Sequence, residues 1–170
     1  MNPEIAQASR EHVIALLTLL PSRLGAGWPP ADTHWPDGPA WRAAEDLALT
    51  LRIGAREFTF VHSLEAERSA TLVVECRFGI VPRGSAIECY RKLLAMNHQN
   101  FAENPFAYAL DASTKTLIHS AAYLLDSLDI DKLTEAVVDA ARQTMSWREE
   151  FSLASESPAA VGDFSLFLQI

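Results

Sequence analysis

The chain has 170 residues, 49% hydrophobic and 21% charged, which is the size of one domain with enough apolar residues for a packed core and excludes global disorder. A formal net charge of −8 argues against nucleic acid and anionic membrane as partners and favours solubility and a basic partner. Cys76 and Cys89, the two cysteines, are too few for a disulfide framework and fit core thiols in a reducing compartment. No basic segment follows Met1 and no apolar run approaches the ~18 residues of a membrane span, so the expected location is the cytoplasm.

Ile5, Ala8, His12, Ala15, Leu16 and Leu19 recur at helical spacing and predict a helix from Pro3 to Leu20, ended by Pro21. A loop from Pro21 to Pro39 follows, with five prolines, three glycines and two tryptophans. Trp28 and Trp35 each precede proline and are biased toward extended backbone. Residues Ala40 to Glu45 suggest a short helical turn.

Three period-2 patterns then predict strands: Leu47 to Ile53, Phe58 to Leu64 and Leu72 to Phe78. The short polar connectors Gly54-Ala55-Arg56 and Glu65-Ala66-Glu67-Arg68 imply antiparallel hairpins. Val81-Pro82-Arg83-Gly84 breaks the sheet, and Ser85 with Glu88 has capping-box spacing. The next helix sets Ile87, Tyr90, Leu94, Asn97 and Phe101 along one face, with Leu93 and Met96 on an adjoining one. That stripe is broader than one sheet face covers, which predicts a second copy against it.

Asn104-Pro105 leads into a second hairpin, Phe106 to Asp111 and Thr116 to Ala121, around Ser113-Thr114-Lys115. Asp126 to Asp131 offers caps for a last helix whose stripe is Leu133, Val137, Ala140, Trp147 and Phe151. The pattern predicts an α+β domain over residues 1–151, in the order α-β-β-β-α-β-β-α, with an antiparallel sheet of about five strands and helices packed on it. Residues 152–170 read as a small polar linker and an apolar tail, Phe164 to Ile170, able to pack as an extra strand or to occupy a client-like groove or edge.

No catalytic constellation stands out. His12, His34, His62, His98 and His119 lack metal-ligand spacing with one another or with a cysteine. His62 and His119 are in step with apolar strand positions, where hydrogen-bonded, partly buried histidines are the rule. GxGxxG and GxxxxGK[ST] are absent, so a nucleotide would lack its usual phosphate cradle. Asp126, Asp129 and Asp131 lack the glycine and terminal glutamate of a calcium loop and fit helix capping. The expectation is a protein without cofactor or metal that is not an enzyme.

Taken in order, the first helix, the three-stranded meander, Leu93-Leu94-Ala95-Met96-Asn97, the second strand pair and Trp147-Arg148 late in the last helix resemble the Tir chaperone (CesT/SycE-like) family of class I type III secretion chaperones. The resemblance implies a cytoplasmic homodimer that binds the extended N-terminal segment of a secreted effector and keeps it secretion-competent. By analogy, Ile87, Tyr90, Leu93, Leu94 and Phe101 belong to the dimer interface. Apolar patches on the first helix and sheet, represented by Leu16, Leu19, Phe58, Phe60 and Val73, would receive the effector. The alternative readings are a regulatory or scaffold protein on the same fold, and a small ligand-binding or enzymatic domain. The loop over 21–39 and the tail over 152–170 depart from the family pattern.

Overall fold

A computed structural model describes residues 3–25, 32–33, 46–53, 56–65, 68–100 and 106–153. Helix α1 spans Pro3–Leu24. A two-residue strand β1, Asp32–Thr33, precedes the long strands β2 (Asp46–Ile53), β3 (Arg56–Ser63) and β4 (Thr71–Ile80). A 3-10 turn at Arg83–Ser85 opens into α2, Ala86–Asn100. Strands β5 (Phe106–Asp111) and β6 (Thr116–Leu124) and helix α3 (Ile130–Phe151) complete the fold.

The sheet is antiparallel throughout the described pairs, in the order β1-β2-β3-β4-β6-β5. The expected α+β architecture is present, with the two-residue β1 added inside the segment read as a loop. The second hairpin enters with β6 beside β4, so β5 is an edge strand and α2 packs next to it. The expected helical turn at 40–45 and the tail beyond residue 153 lie outside the described residues.

Strand alternation sets the core. Leu47, Leu49, Leu51 and Ile53 of β2, Phe58 and Phe60 of β3, and Leu72, Val74, Cys76 and Phe78 of β4 are buried with Val13, Leu17 and Leu20 of α1 and Leu133, Val137 and Trp147 of α3. Helix α3 starts at the expected place: the Asp129 carboxylate accepts from the Lys132 N–H at 2.8 Å. Its expected stripe is buried throughout. Ser85 does not form the expected cap, because its hydroxyl turns back to the Pro82 carbonyl at 3.5 Å and the chain enters α2 through the 3-10 turn.

Two expectations for α1 are corrected. Pro21 lies inside the helix: Leu20 and Leu24 on either side of it are both buried, and that packing outweighs the missing N–H. The helix ends instead before Gly25, whose φ of +69° suits the left-handed C-terminal position. The buried stripe is also not the one read from the sequence. Ala6, Arg10, Val13, Leu16, Leu17, Leu20 and Leu24 face the core, while Ile5, Ala8, His12, Ala15 and Leu19 face out. Arg10 interrupts the true stripe with a charge, so the outer stripe looks like the apolar one.

Candidate functional site

Arg10 is fully buried. Its Nε donates to His62 Nδ1 at 2.9 Å, and a guanidinium N–H donates to the His62 carbonyl at 3.1 Å. Arginine can only donate, so Nδ1 is the acceptor and Nε2 carries the hydrogen, pointing at the Ser69 carbonyl 3.1 Å away. His62 is therefore neutral, and burial lowers its pKa. The Arg10 pKa is also lowered by burial, against the opposing pull of Asp46. The pair fastens α1 to the β3 backbone beside Leu47, the strand partner of His62. With its inner face tied down in this way, α1 presents Ile5 (55% exposed) and Leu19 (50%) to solvent.

At the other end of the sheet, Asn97 of α2 covers the edge of β5. Its Nδ2 donates to the Tyr108 carbonyl at 2.8 Å, and the Tyr108 N–H donates to its Oδ1 at 2.8 Å. Both backbone groups of Tyr108 thus point away from β6, and bonded and non-bonded pairs alternate along an antiparallel ladder. Followed through the pairs Tyr108–His119, His119–Cys76, Cys76–Phe58 and Phe58–Leu51, this phase turns the backbone groups of Asp46, Ala48, Thr50 and Arg52 out to the free side of β2. The Leu125 N–H to Ala70 carbonyl bond, at 2.9 Å, continues the β4–β6 ladder in the same phase. Arg52 faces Asp32 of β1. Among the described residues, Asp46, Ala48 and Thr50 have no strand partner on that side.

Among the described residues, the sheet face away from the helices is open. A row of small and β-branched residues, Ala48, Val61, Val73 and Ala122, crosses four strands in register. Val61 and Val73 are half-buried, and Ala48 and Ala122 are exposed. The next row carries Thr50 and Thr59, with hydroxyl oxygens 3.2 Å apart, and then Glu75 and Ser120.

Of the residues expected to receive an effector, Leu19 is exposed and Val73 lies on this open face. Leu16, Phe58 and Phe60 are buried in the protomer core. Leu16 sits on the inner face of α1, and Phe58 and Phe60 occupy the inward positions of β3, where the alternate residue faces out. Of the residues expected at a dimer interface, Ile87 is 71% and Leu94 70% exposed on the outer face of α2. Tyr90 is half-buried, Leu93 is turned into the core, and Phe101 lies outside the described residues.

The titratable groups of the core do not assemble into reactive pairs. Burial pushes the Cys76 thiol up to about 12 and the Cys89 thiol up to about 11, which suppresses thiolate. His119 is stacked on Phe106 at 4.9 Å, with no described partner for Nε2, and burial lowers its pKa to about 4. A shallow groove between α1 and α3, of about 430 Å³, is lined by Arg23, Asp131, Thr134, Glu135, Val138, Asp139 and Arg142. Four of its charged residues pair with each other, Arg23 with Asp131 at 3.7 Å and Arg142 with Asp139 at 3.3 Å. Among the described residues no group of three histidine, cysteine or acidic side chains is placed to hold a metal, and no helix is long and apolar enough to cross a membrane.

A sequence profile described as the Tir chaperone protein (CesT) family matches residues 43–148. No curated protein sequence matches the chain. Among solved structures, the chain is similar to one from the "Crystal Structure of the ExsC-ExsE Complex", at 14% identity and a TM-score of 0.54, covering 82% of this chain and 92% of that one. That similarity is one of fold.

Proposed function

Because the chain belongs to the Tir chaperone (CesT) family, we propose that it is a type III secretion chaperone, working in the cytoplasm as a homodimer, whose client is the extended N-terminal segment of a secreted effector. The observation that carries this reading is the outer stripe of α1. A helix whose inner face is already seated in the core still exposes Ile5 and Leu19 at half or more of their surface. Large apolar residues left bare in this way are what a partner protein covers.

The client site combines this stripe, the open-face row through Val73, and the outward backbone groups of Asp46, Ala48 and Thr50 on β2. An extended segment gains main-chain hydrogen bonds from such an edge and specificity from apolar contacts with its alternate side chains. The β5 edge is a poorer host, since Asn97 fills its middle. Ile87 and Leu94 on α2 supply the apolar part of a two-fold contact between copies. Nothing in the activity requires a cofactor or a reactive side chain.

A pull-down from the native cell, followed by mass spectrometry, tests the reading. The expected catch is a secreted protein held through its N-terminal segment, and it is lost from the Ile5→Asp/Leu19→Asp double variant. Capture of no secreted protein by folded chaperone, or a catch indifferent to both substitutions, would overturn it.

A further inference from the structure

We propose that Glu75 sets which clients the open sheet face accepts: an extended segment with a large apolar side chain and, two residues along, a lysine or arginine. The inference rests on the reading of that face as part of the client site, and names the chemistry of its occupant.

The open face changes character row by row. Ala48, Val61, Val73 and Ala122 form its apolar row. Two rows further on, Arg52, Glu57 and Arg77 face one another in register, and Arg77 pairs with Asp111 at 3.2 Å, so charge is matched there. The row between is Thr50, Thr59, Glu75 and Ser120, with Glu75 as its one charge. Among the described residues the Glu75 carboxylate has no ion pair, and it accepts from the Ser120 hydroxyl at 3.5 Å. A hydroxyl–carboxylate bond ordinarily measures about 2.5–2.7 Å. The half-buried Glu75 therefore depends on water for the rest of its hydrogen bonds.

A client that covers this face strips that water. A buried carboxylate without a partner is costly, so the penalty falls on any segment that sets an apolar or acidic side chain over Glu75. A lysine or arginine there takes the place of the water. Spacing fixes the rest. Val73 and Glu75 lie two residues apart on one face of β4, about 7 Å, and an extended client has the same repeat. A segment laid along β4 with an apolar residue against Val61 and Val73 thus sets the residue two positions along over Glu75. The net charge of −8 attracts the same basic partner at longer range.

Random peptides displayed on phage and selected on the full chain supply the probes. Wild type is expected to enrich a lysine or arginine two positions from a large apolar residue, and Glu75→Lys an acidic residue there. The enriched basic peptide, synthesised, should bind Glu75→Gln about tenfold more weakly than wild type, the scale of one lost hydrogen bond to a charged group, with an unchanged melting temperature. Added salt should weaken its binding to wild type more than to Glu75→Gln. A Val61→Thr/Val73→Thr double variant, which keeps the shape of both side chains, should bind it more weakly as well. Equal binding to wild type and Glu75→Gln, with the double variant still weakened, would remove the role of Glu75 and leave the open face in the client site. Binding indifferent to the double variant as well, or enrichment of no peptide by folded protein, would take the open face out of the client site. A lower mass of the double variant in light scattering would assign the face to a second copy of the chain and overturn the inference.

Discussion

Asn97 takes both backbone groups of Tyr108, donating from Nδ2 to its carbonyl and accepting its N–H at Oδ1, each at 2.8 Å. One carboxamide does here what a neighbouring strand would do. It supplies an edge strand with a donor and an acceptor from a helix, and it spaces α2 from β5.

Replacing Asn97 with alanine leaves the Tyr108 N–H and carbonyl without these partners. Tyr108 is 4% exposed, so the expected loss is about 1–3 kcal/mol of stability. Urea denaturation measures it, and a change inside about 0.5 kcal/mol, the usual range for a surface site, would refute the role. Asn97→Asp should be destabilised as well, because the second oxygen faces the Tyr108 carbonyl with no hydrogen to give.

Leu93 and Leu94 are neighbours in sequence with opposite fates, 6% and 70% exposed. Leu94→Asp should therefore keep the circular dichroism spectrum and halve the mass seen by light scattering. Leu93→Asp should unfold the protomer, because it buries a carboxylate without a partner. A wild-type monomer at micromolar concentration would defeat the dimer proposal outright.

Phe60 and Leu19 make a second contrast. Phe60→Ala removes a fully buried ring and should cost about 3–5 kcal/mol. Leu19→Asp should leave the melting temperature within a few degrees of wild type and weaken client binding. If Leu19→Asp instead unfolds the protein, the outer stripe of α1 belongs to the fold rather than to the client.

The two buried histidines predict acid sensitivity. Burial holds the His62 pKa below 6.5, and Arg10 opposes its charged form. His119, among Phe106, Tyr108 and Cys76, falls to about 4. In the unfolded chain both take up a proton near pH 6.5, before the folded chain does. Stability is thus complete above that pH and is lost as pH falls from about 6.5 toward 4. For His119 the loss is about 3 kcal/mol across that window. Denaturation midpoints at pH 7.5, 6, 5 and 4 read the slope, and His119→Gln should flatten it. A midpoint unchanged down to pH 5 would contradict the neutral His62–Arg10 pair.

The strands were legible because period 2 is hard to disguise. Leu47 to Ile53 and Phe106 to Asp111 alternate cleanly, and the structure keeps the second set of bounds and extends the first by one residue to Asp46. The inner face of α1 was not legible, because a buried arginine breaks the apolar pattern on the side that matters and leaves the outer stripe to be read in its place. That Phe58 and Phe60 point inward was not legible for a related reason: alternation identifies two faces but does not say which one the helices cover. The role of Asn97 depends on α2 lying beside an edge strand, which follows from the order β4-β6-β5 and from no local pattern. Asp129 carried its own signal, since a cap and the helix it opens are contiguous in sequence.

Helix α1 also meets the far end of the chain: the His12 ring nitrogen Nε2 lies 3.0 Å from the Leu128 carbonyl, and Arg23 pairs with Asp131 at 3.7 Å. Helix α1 therefore has to wait for residues made more than a hundred positions later. At about 5–20 residues per second that delay is roughly 5–20 seconds, during which α1 has two uncovered apolar faces instead of one. A member of a chaperone family thus passes through a stage in which a segment of its own needs shelter.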